Sequence, residues 1–178
     1  MVIAVNIVCS MRLFSEEKMM RTEEIVVLKY DELGDSAKET AKNWFKEVVD
    51  YPWFDDGMTS IKVFSKHFGI TVVNYEIGAF SYSWVKTNAD KSHFRGLKLK
   101  DIDRDHNPTG YCVDWDLWNT FYDTWKTTGD PLKAFHDAIE CAVTDIQKDW
   151  EYQYSDEAVE EMLIINEYEF TEDGKRYA

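Results

Sequence analysis

An amphipathic segment in the C-terminal third constrains the fold of this chain more than any other feature of its sequence. Apolar residues recur every three or four positions from Leu132 to Trp150, which predicts a helix of about five turns. Asp130 is a typical N-cap residue, and Pro131 follows at the first helical position, where its missing amide hydrogen leaves no bond unmade. A helix with one long apolar stripe has to bury that stripe, so the chain is predicted to build a globular core.

Four segments before residue 103 have the composition or alternation of strands. Glu24–Tyr30 is rich in β-branched residues. Ile70–Ile77 and Phe80–Lys86 form a predicted hairpin with its turn at Gly78-Ala79, because glycine adopts positive φ at little cost. Phe94–Ile102 alternates apolar and polar residues and is predicted as a further strand.

Capping residues and apolar spacing predict four other helices, which begin near Ser36, Pro52, Leu117 and Ser155. The first is predicted to open with a capping box of Ser36 and Glu39. An edge strand at Asn166–Phe170 is predicted to follow the last helix. The sequence therefore predicts a single α+β domain, in which a small antiparallel sheet of three to five strands packs with four or five helices.

The domain is predicted to span residues 21–171. Residues 1–20 are expected to be an N-terminal extension with two open explanations. Either the true start is Met19 or Met20, or the apolar Met1–Ser10 forms an extra strand. Residues 172–178 are predicted to be a loose acidic and polar tail.

Acidic residues outnumber basic ones, with 34 Asp and Glu against 20 Lys and Arg and a formal net charge of −14. This balance argues against direct binding of nucleic acid, which requires clustered cations. The excess is concentrated between Asp137 and Asp173, where 13 acidic residues face the single base Lys148. The concentration of charge is the most informative feature of the composition.

The acidic segment has two interpretations. It is either a solvated face that keeps the protein in solution, or a binding surface that imitates the charge of DNA and competes for a cationic groove. Such a surface would associate with its partner rapidly and in a salt-sensitive manner. The residues predicted to bind the partner are Asp156, Glu157, Glu160, Glu161, Glu167, Glu169, Glu172 and Asp173.

Other clusters of reactive side chains lack the partners that a metal or catalytic site requires. Asp101, Asp103 and Asp105 alternate as ligands of a hard cation can, but His106 and Cys112 occupy the places of the glycine and glutamate of an EF-hand loop.

His136 and Glu140 lie four residues apart without further zinc ligands, and neither Cys112 nor Cys141 has a recognisable base nearby. The odd number of cysteines, without CxxC spacing, indicates a reducing compartment. The sequence predicts no catalytic residue, no metal ligand and no cofactor. It also contains no run of the roughly 18 apolar residues that a membrane span needs.

Two blocks of the sequence resemble a family of proteins encoded by tailed bacteriophages and prophages. The first runs from Arg21 to Gly69 and begins RTEEIVVLKYDELGDSAKETAKNWFKEV, and the second is EYQYSDEAVEEMLIINEYEFTEDGKRY, Glu151 to Tyr177. The middle of the chain resembles only one branch of the family. Some members carry the label "antitoxin of a toxin–antitoxin stability system". The resemblance implies a phage origin and action in the host bacterial cytoplasm, and it brings no catalytic residues.

These observations predict a non-enzymatic phage accessory protein that binds and inhibits a bacterial defence or nucleic-acid-processing protein through its acidic face. Two alternatives stay open: a small metal-dependent enzyme that uses Asp101, Asp103 and Asp105, and an antitoxin-type binding partner. A homodimer is a further option, because the aromatic helices can supply a self-complementary patch.

Overall fold

The computed structural model describes residues 2–5 and 23–177. Its regular elements are, in chain order, β1 (Val2–Val5), β2 (Glu23–Lys29), α1 (Asp35–Val48), α2 (Phe54–His67), β3 (Val72–Glu76), β4 (Trp84–Thr87), α3 (Cys112–Thr128), α4 (Pro131–Gln153), α5 (Asp156–Ile165) and β5 (Glu169–Thr171). The predicted α+β class and the number of helices are confirmed.

The chain divides into two compact units. The first contains the described residues of Met1–Asp50 and Ser155–Ala178, and the second is Tyr51–Tyr154. The predicted domain boundaries at residues 20 and 171 stay predictions. The strands form two sheets, one in each unit, so the prediction of one sheet was wrong in this respect.

The first unit is built on a three-stranded antiparallel sheet in the order β1-β2-β5. Val2 pairs with Val26 in β2, and Leu28 of β2 pairs with Phe170 in β5. The alternative of an N-terminal strand therefore agrees with β1, while residues 6–22 lie outside the described chain. Helices α1 and α5 pack together over a core of Tyr30, Leu33, Ala37, Ala41, Phe45, Val159, Leu163 and Phe170.

The second unit is dominated by the packing of α3 against α4. Gly129 joins the two helices in the left-handed conformation, at φ 69°, which glycine adopts without a Cβ clash. Helix α2 adds Met58, Ile61 and Phe64, all fully buried. Phe64 stacks on Phe135 of α4 with 5.5 Å between ring centroids. The small hairpin of β3 and β4 completes this unit.

The capping residues predicted for the two C-terminal helices are confirmed. The Asp130 carboxylate accepts hydrogen bonds from the backbone N–H groups of Leu132 and Lys133, at 3.0 and 3.2 Å. The Ser155 hydroxyl accepts one from the N–H of Ala158 at 3.2 Å. These bonds satisfy donors that the first turn of a helix leaves without partners.

Three local predictions for the first hundred residues were wrong. Helix α1 begins one residue before Ser36, with Gly34 as its N-cap, so the Ser36 hydroxyl lies inside the first turn and cannot cap the helix. Segment 94–102 is not a strand, because two short 3-10 helices, Lys91–Phe94 and Leu99–Asp101, tuck Phe94 and Ile102 into the core. The connection between β3 and β4 is a longer loop than the predicted Gly78-Ala79 turn.

The described part of the predicted loose tail is folded against the first unit. The N–H of Tyr177 donates to the carbonyl of Glu169, and the N–H of Thr171 donates to that of Lys175, both at 2.9 Å. The Arg176 guanidinium lies 5.0 Å from the ring centroid of Tyr168. Backbone pairing and a cation–π contact therefore hold residues 172–177 in place.

Candidate functional site

The eight predicted partner-binding residues all lie in the first unit, and together they are here called the acidic surface. Six of them are exposed, whereas Glu160 and Glu169 are half-buried. Glu160 lies close to the buried Tyr30. Burial first, and then the negative charge of Glu160, raise the pKa of the Tyr30 hydroxyl. Most side chains of the acidic surface are therefore exposed, as a binding surface requires.

Internal ion pairs neutralise three members of the acidic surface. Asp156 accepts from Lys42 at 2.9 Å and from Lys46 at 2.7 Å. These two bonds lower the pKa of Asp156 from 3.8 to about 2. Glu167 pairs with Lys29 at 3.1 Å, and Asp173 pairs with Lys175 at 2.6 Å. A carboxylate that is already paired with a cation presents less negative charge to a partner. The net negative charge of the acidic surface is therefore smaller than its eight carboxylates would give.

The outward face of α5 keeps charge and also presents apolar side chains. Glu157 and Glu161 lie one turn apart and are exposed, and Ile164 and Ile165 follow on the next turn of the same face. Ile164 and Ile165 are 51% and 69% exposed. Ile164 and Ile165 therefore place apolar area next to two carboxylates that have no ion pair within the described residues.

A second region, in the other unit, was not predicted from the sequence. It is a cavity of about 320 Å³ lined by aromatic and acidic side chains, here called the aromatic–acidic cavity. Its lining residues are Tyr51, Trp53, Tyr111, Cys112, Val113, Asp116, Asp145, Ile146, Asp149 and Gln153. Helix α3 supplies Asp116, while Asp145 and Asp149 lie one turn apart on α4.

Neutral donors hold two of the three carboxylates. The buried Tyr51 hydroxyl donates a hydrogen bond to Oδ2 of Asp149, and its ring stacks on Trp150 with 5.3 Å between centroids. Burial and this bond both raise the pKa of Tyr51, so its hydroxyl keeps its proton. The Cys141 thiol donates to Oδ2 of Asp145 at 3.4 Å. These contacts orient the carboxylates without cancelling their charge.

No cation balances this charge within the described chain. Lys, Arg and His are absent from the described lining residues, and none of the three carboxylates is in an ion pair there. Burial first, and then the neighbouring Asp145, raise the pKa of Asp116. Negative charge held beside tyrosine and tryptophan rings is the environment in which an ammonium or guanidinium group binds well, through charge-assisted hydrogen bonds and cation–π contacts.

The candidate metal and catalytic residues are not brought together. Within residues 2–5 and 23–177, no three His, Cys, Asp or Glu side chains are arranged to hold a metal ion. Asp101 ends a 3-10 helix, and the Asp103 carboxylate accepts from the N–H of Asp105 at 3.1 Å. Cys112 is exposed, and burial raises the pKa of the Cys141 thiol. The metal-dependent alternative therefore depends on spacing alone.

Comparison with known proteins finds no match: no family model, no curated protein and no solved structure is significantly similar to this chain. The resemblance to phage proteins therefore stays a prediction. Among the helices of the described residues, none is both long and apolar enough to cross a membrane.

A sequence signal for the aromatic–acidic cavity does exist. Asp145 and Asp149 are four residues apart on the most strongly predicted helix, and Asp116 lies on the adjacent one. The sequence does not show that α3 packs against α4, or that Tyr51 lies beside them. These two contacts place the three carboxylates in one cavity.

Proposed function

We propose that this chain is a non-enzymatic binding protein that recognises a basic region of a partner protein. The observation that carries the proposal is the aromatic–acidic cavity, in which Asp116, Asp145 and Asp149 lie beside aromatic rings without a balancing cation in the described chain. An arginine or lysine side chain of the partner supplies the missing charge and an alkyl stem that packs on the partly exposed Trp53.

The exposed face of α5 supports the same function. Glu157 and Glu161 attract a basic surface, while Ile164 and Ile165 offer apolar area that becomes buried on binding. The partner-binding acidic surface is accordingly narrowed to the members that have no ion pair within residues 2–5 and 23–177, namely Glu157, Glu160, Glu161, Glu169 and Glu172.

The resemblance of the sequence to phage proteins gives the proposal its biological setting. A phage accessory protein of this kind would act in the host bacterial cytoplasm and inhibit a bacterial defence or nucleic-acid-processing protein. Such proteins carry cationic grooves that bind nucleic acid, and an acidic ligand competes for them.

Calorimetric titration with Nα-acetylarginine methylamide tests the cavity directly, and the neutral citrulline analogue is the matched control ligand. We expect the arginine probe to bind and the citrulline probe to bind at least about tenfold more weakly, which corresponds to about 1.4 kcal/mol.

Asp116→Asn should weaken binding of the arginine probe by a similar factor. Asp105→Asn removes an equal charge from an exposed loop and should leave binding of the arginine probe unchanged. Equal binding of the two probes would contradict the proposal.

A further inference from the structure

Two histidines of the second unit lie side by side, although they are 39 positions apart in the sequence. His67 is the last residue of α2, and His106 lies in the loop that precedes α3. Their ring centroids are 5.9 Å apart. Because the fold brings these two imidazoles together, the spacing of residues in the sequence could not reveal them.

The indole ring of Trp118 supports both imidazoles. Each imidazole centroid is 4.8 Å from the Trp118 centroid, and the rings of His67 and His106 stand at 90° and 89° to the indole plane. Trp118 is itself 1% exposed and packs edge-on against Phe64, with 5.0 Å between centroids. The two imidazoles therefore share a rigid support, which reduces the conformational freedom that a ligand would have to remove.

The imidazole nitrogens of both residues are available to a ligand. Neither ring has a hydrogen-bond or ion-pair partner among residues 2–5 and 23–177. His67 is exposed and His106 is half-buried, so an ion can reach them from solution. Burial first, and then the charge of a protonated His106, lower the pKa of His67. A neutral imidazole keeps a nitrogen lone pair, and this is the form that binds a metal ion.

The chain contains four histidines, and the other two lack this arrangement in the described residues. Nδ1 of His93 accepts a hydrogen bond from the N–H of Asp90 at 3.2 Å. The His136 ring contacts Phe135 and has no second imidazole beside it in the described chain. His93 and His136 therefore serve as internal references for the pair of His67 and His106.

The separation of the two rings fits a shared metal ion. In a zinc site each imidazole nitrogen lies about 2.0–2.1 Å from the metal, so the centroids of two imidazoles on one tetrahedral ion are roughly 5.2 Å apart. The observed 5.9 Å exceeds this value by about 0.7 Å, which corresponds to a wider angle at the metal or to a small rotation of the exposed His67 ring.

We propose that His67 and His106 form a two-histidine site for a divalent transition-metal ion of the zinc class, with water in the remaining coordination positions. Imidazole is a good ligand for zinc, copper and nickel, whereas magnesium and calcium prefer oxygen ligands. No third His, Cys, Asp or Glu side chain of the described residues completes the set. The ion would tie the end of α2 to the loop before α3. The site shares no residue with the aromatic–acidic cavity, so either proposal can fail without the other.

Histidine-selective ¹⁵N NMR of the wild-type protein tests the site without any substitution. Titration with Zn²⁺ should shift the imidazole signals of His67 and His106 and leave those of His93 and His136 in place. The same concentrations of Mg²⁺ should shift none of the four signals, because Mg²⁺ prefers oxygen ligands. Unchanged signals of His67 and His106 with Zn²⁺, or equal shifts of all four histidines, would overturn the proposal.

Single substitutions provide an independent arm. His67→Gln and His106→Gln should each weaken Zn²⁺ binding at least about tenfold in calorimetric titrations, because one imidazole cannot chelate the ion. His136→Gln is the matched control and should bind Zn²⁺ like the wild type. Equal affinity of all three variants for Zn²⁺ would show that the ion binds elsewhere, and the proposed site would be wrong.

Discussion

At the scale of single residues, a glycine near the C-terminus allows two backbone segments to approach each other closely. Gly174 is buried and adopts φ 80° in the turn after β5. A Cβ added to it would overlap with the carbonyl group of Ala37 in α1. Gly174 thus lets residues 172–177 fold back onto the first unit, which is the physical reason why the predicted loose tail is ordered.

We therefore expect Gly174→Ala to lower the free energy of unfolding by more than about 1 kcal/mol. Gly96→Ala is the matched control, because Gly96 has the same φ of 80° but no atom within 4 Å of an added Cβ. The difference between the two variants, measured by urea denaturation, isolates the overlap with Ala37. Equal losses would show that this close approach is absent.

A buried aspartate organises the loop before α3. Asp114 is inaccessible to solvent, and its Oδ2 accepts bonds from the N–H of Thr109 at 2.8 Å and the N–H of Gly110 at 3.2 Å. Asp114→Ala leaves the N–H of Thr109 without this acceptor, while the N–H of Gly110 keeps its bond to Oδ1 of Asn107, and should cost about 1–3 kcal/mol of stability. Asp114→Asn keeps an acceptor oxygen and should cost less. Equal losses in denaturant titrations of the two variants would contradict this role.

At the scale of elements, the sequence predicted helices better than loops or sheets. The boundaries of α4 follow from Asp130, Pro131 and a regular apolar stripe, all of which are local. Segment 94–102 alternates like a strand, but burial of Phe94 and Ile102 selects two short helices instead. The local sequence pattern carries no information about the shape of the surrounding core. Tertiary packing therefore overrides the strand pattern in segment 94–102.

The ion pairs that hold α5 to α1 should depend on pH. The pKa of Asp156 is lowered to about 2 in the folded protein, below the ordinary 3.8 that we assign to the unfolded chain. A lowered folded-state pKa stabilises the protein above about pH 4, and this contribution is lost as the pH falls from 4 towards 2. Asp156→Asn should therefore reduce stability at pH 7 and have little effect at pH 2.

Glu157→Gln is the control for this prediction, because Glu157 shares the first turn of α5 but has no ion pair in the described chain. Thermal unfolding of the three proteins at pH 7, 4 and 2 gives the comparison. A difference between wild type and Asp156→Asn that does not change with pH would contradict the assigned pKa.

At the scale of the whole molecule, the sequence predicted the sign and place of the charge but not its pairing. The acidic excess after residue 137 is visible in the composition. The cations that neutralise Asp156 and Glu167 lie more than 100 positions away, at Lys42, Lys46 and Lys29, and only the fold brings them close. The aromatic–acidic cavity was missed for the same reason.

This pairing predicts which carboxylates matter for binding. Glu157→Gln combined with Glu161→Gln should weaken association with a basic partner and reduce its dependence on salt, because both carboxylates are exposed and have no ion pair within the described residues. Glu167→Gln with Asp173→Asn removes the same number of carboxylates from ion pairs and should have a smaller effect on association rate. If the two double variants change the association rate equally at both salt concentrations, the net charge of the protein determines association, and the exposed face of α5 does not.

The central claim, recognition of a basic partner through the aromatic–acidic cavity, is tested most directly by quantitative capture from nuclease-treated bacterial lysate. The baits are the wild type, Asp116→Asn with Asp145→Asn, and Asp103→Asn with Asp105→Asn. We predict a bacterial protein that the wild type and the loop variant retain, that the cavity variant loses, and that moderate salt or free arginine probe releases. Identical sets of captured proteins on all three baits would contradict the claim.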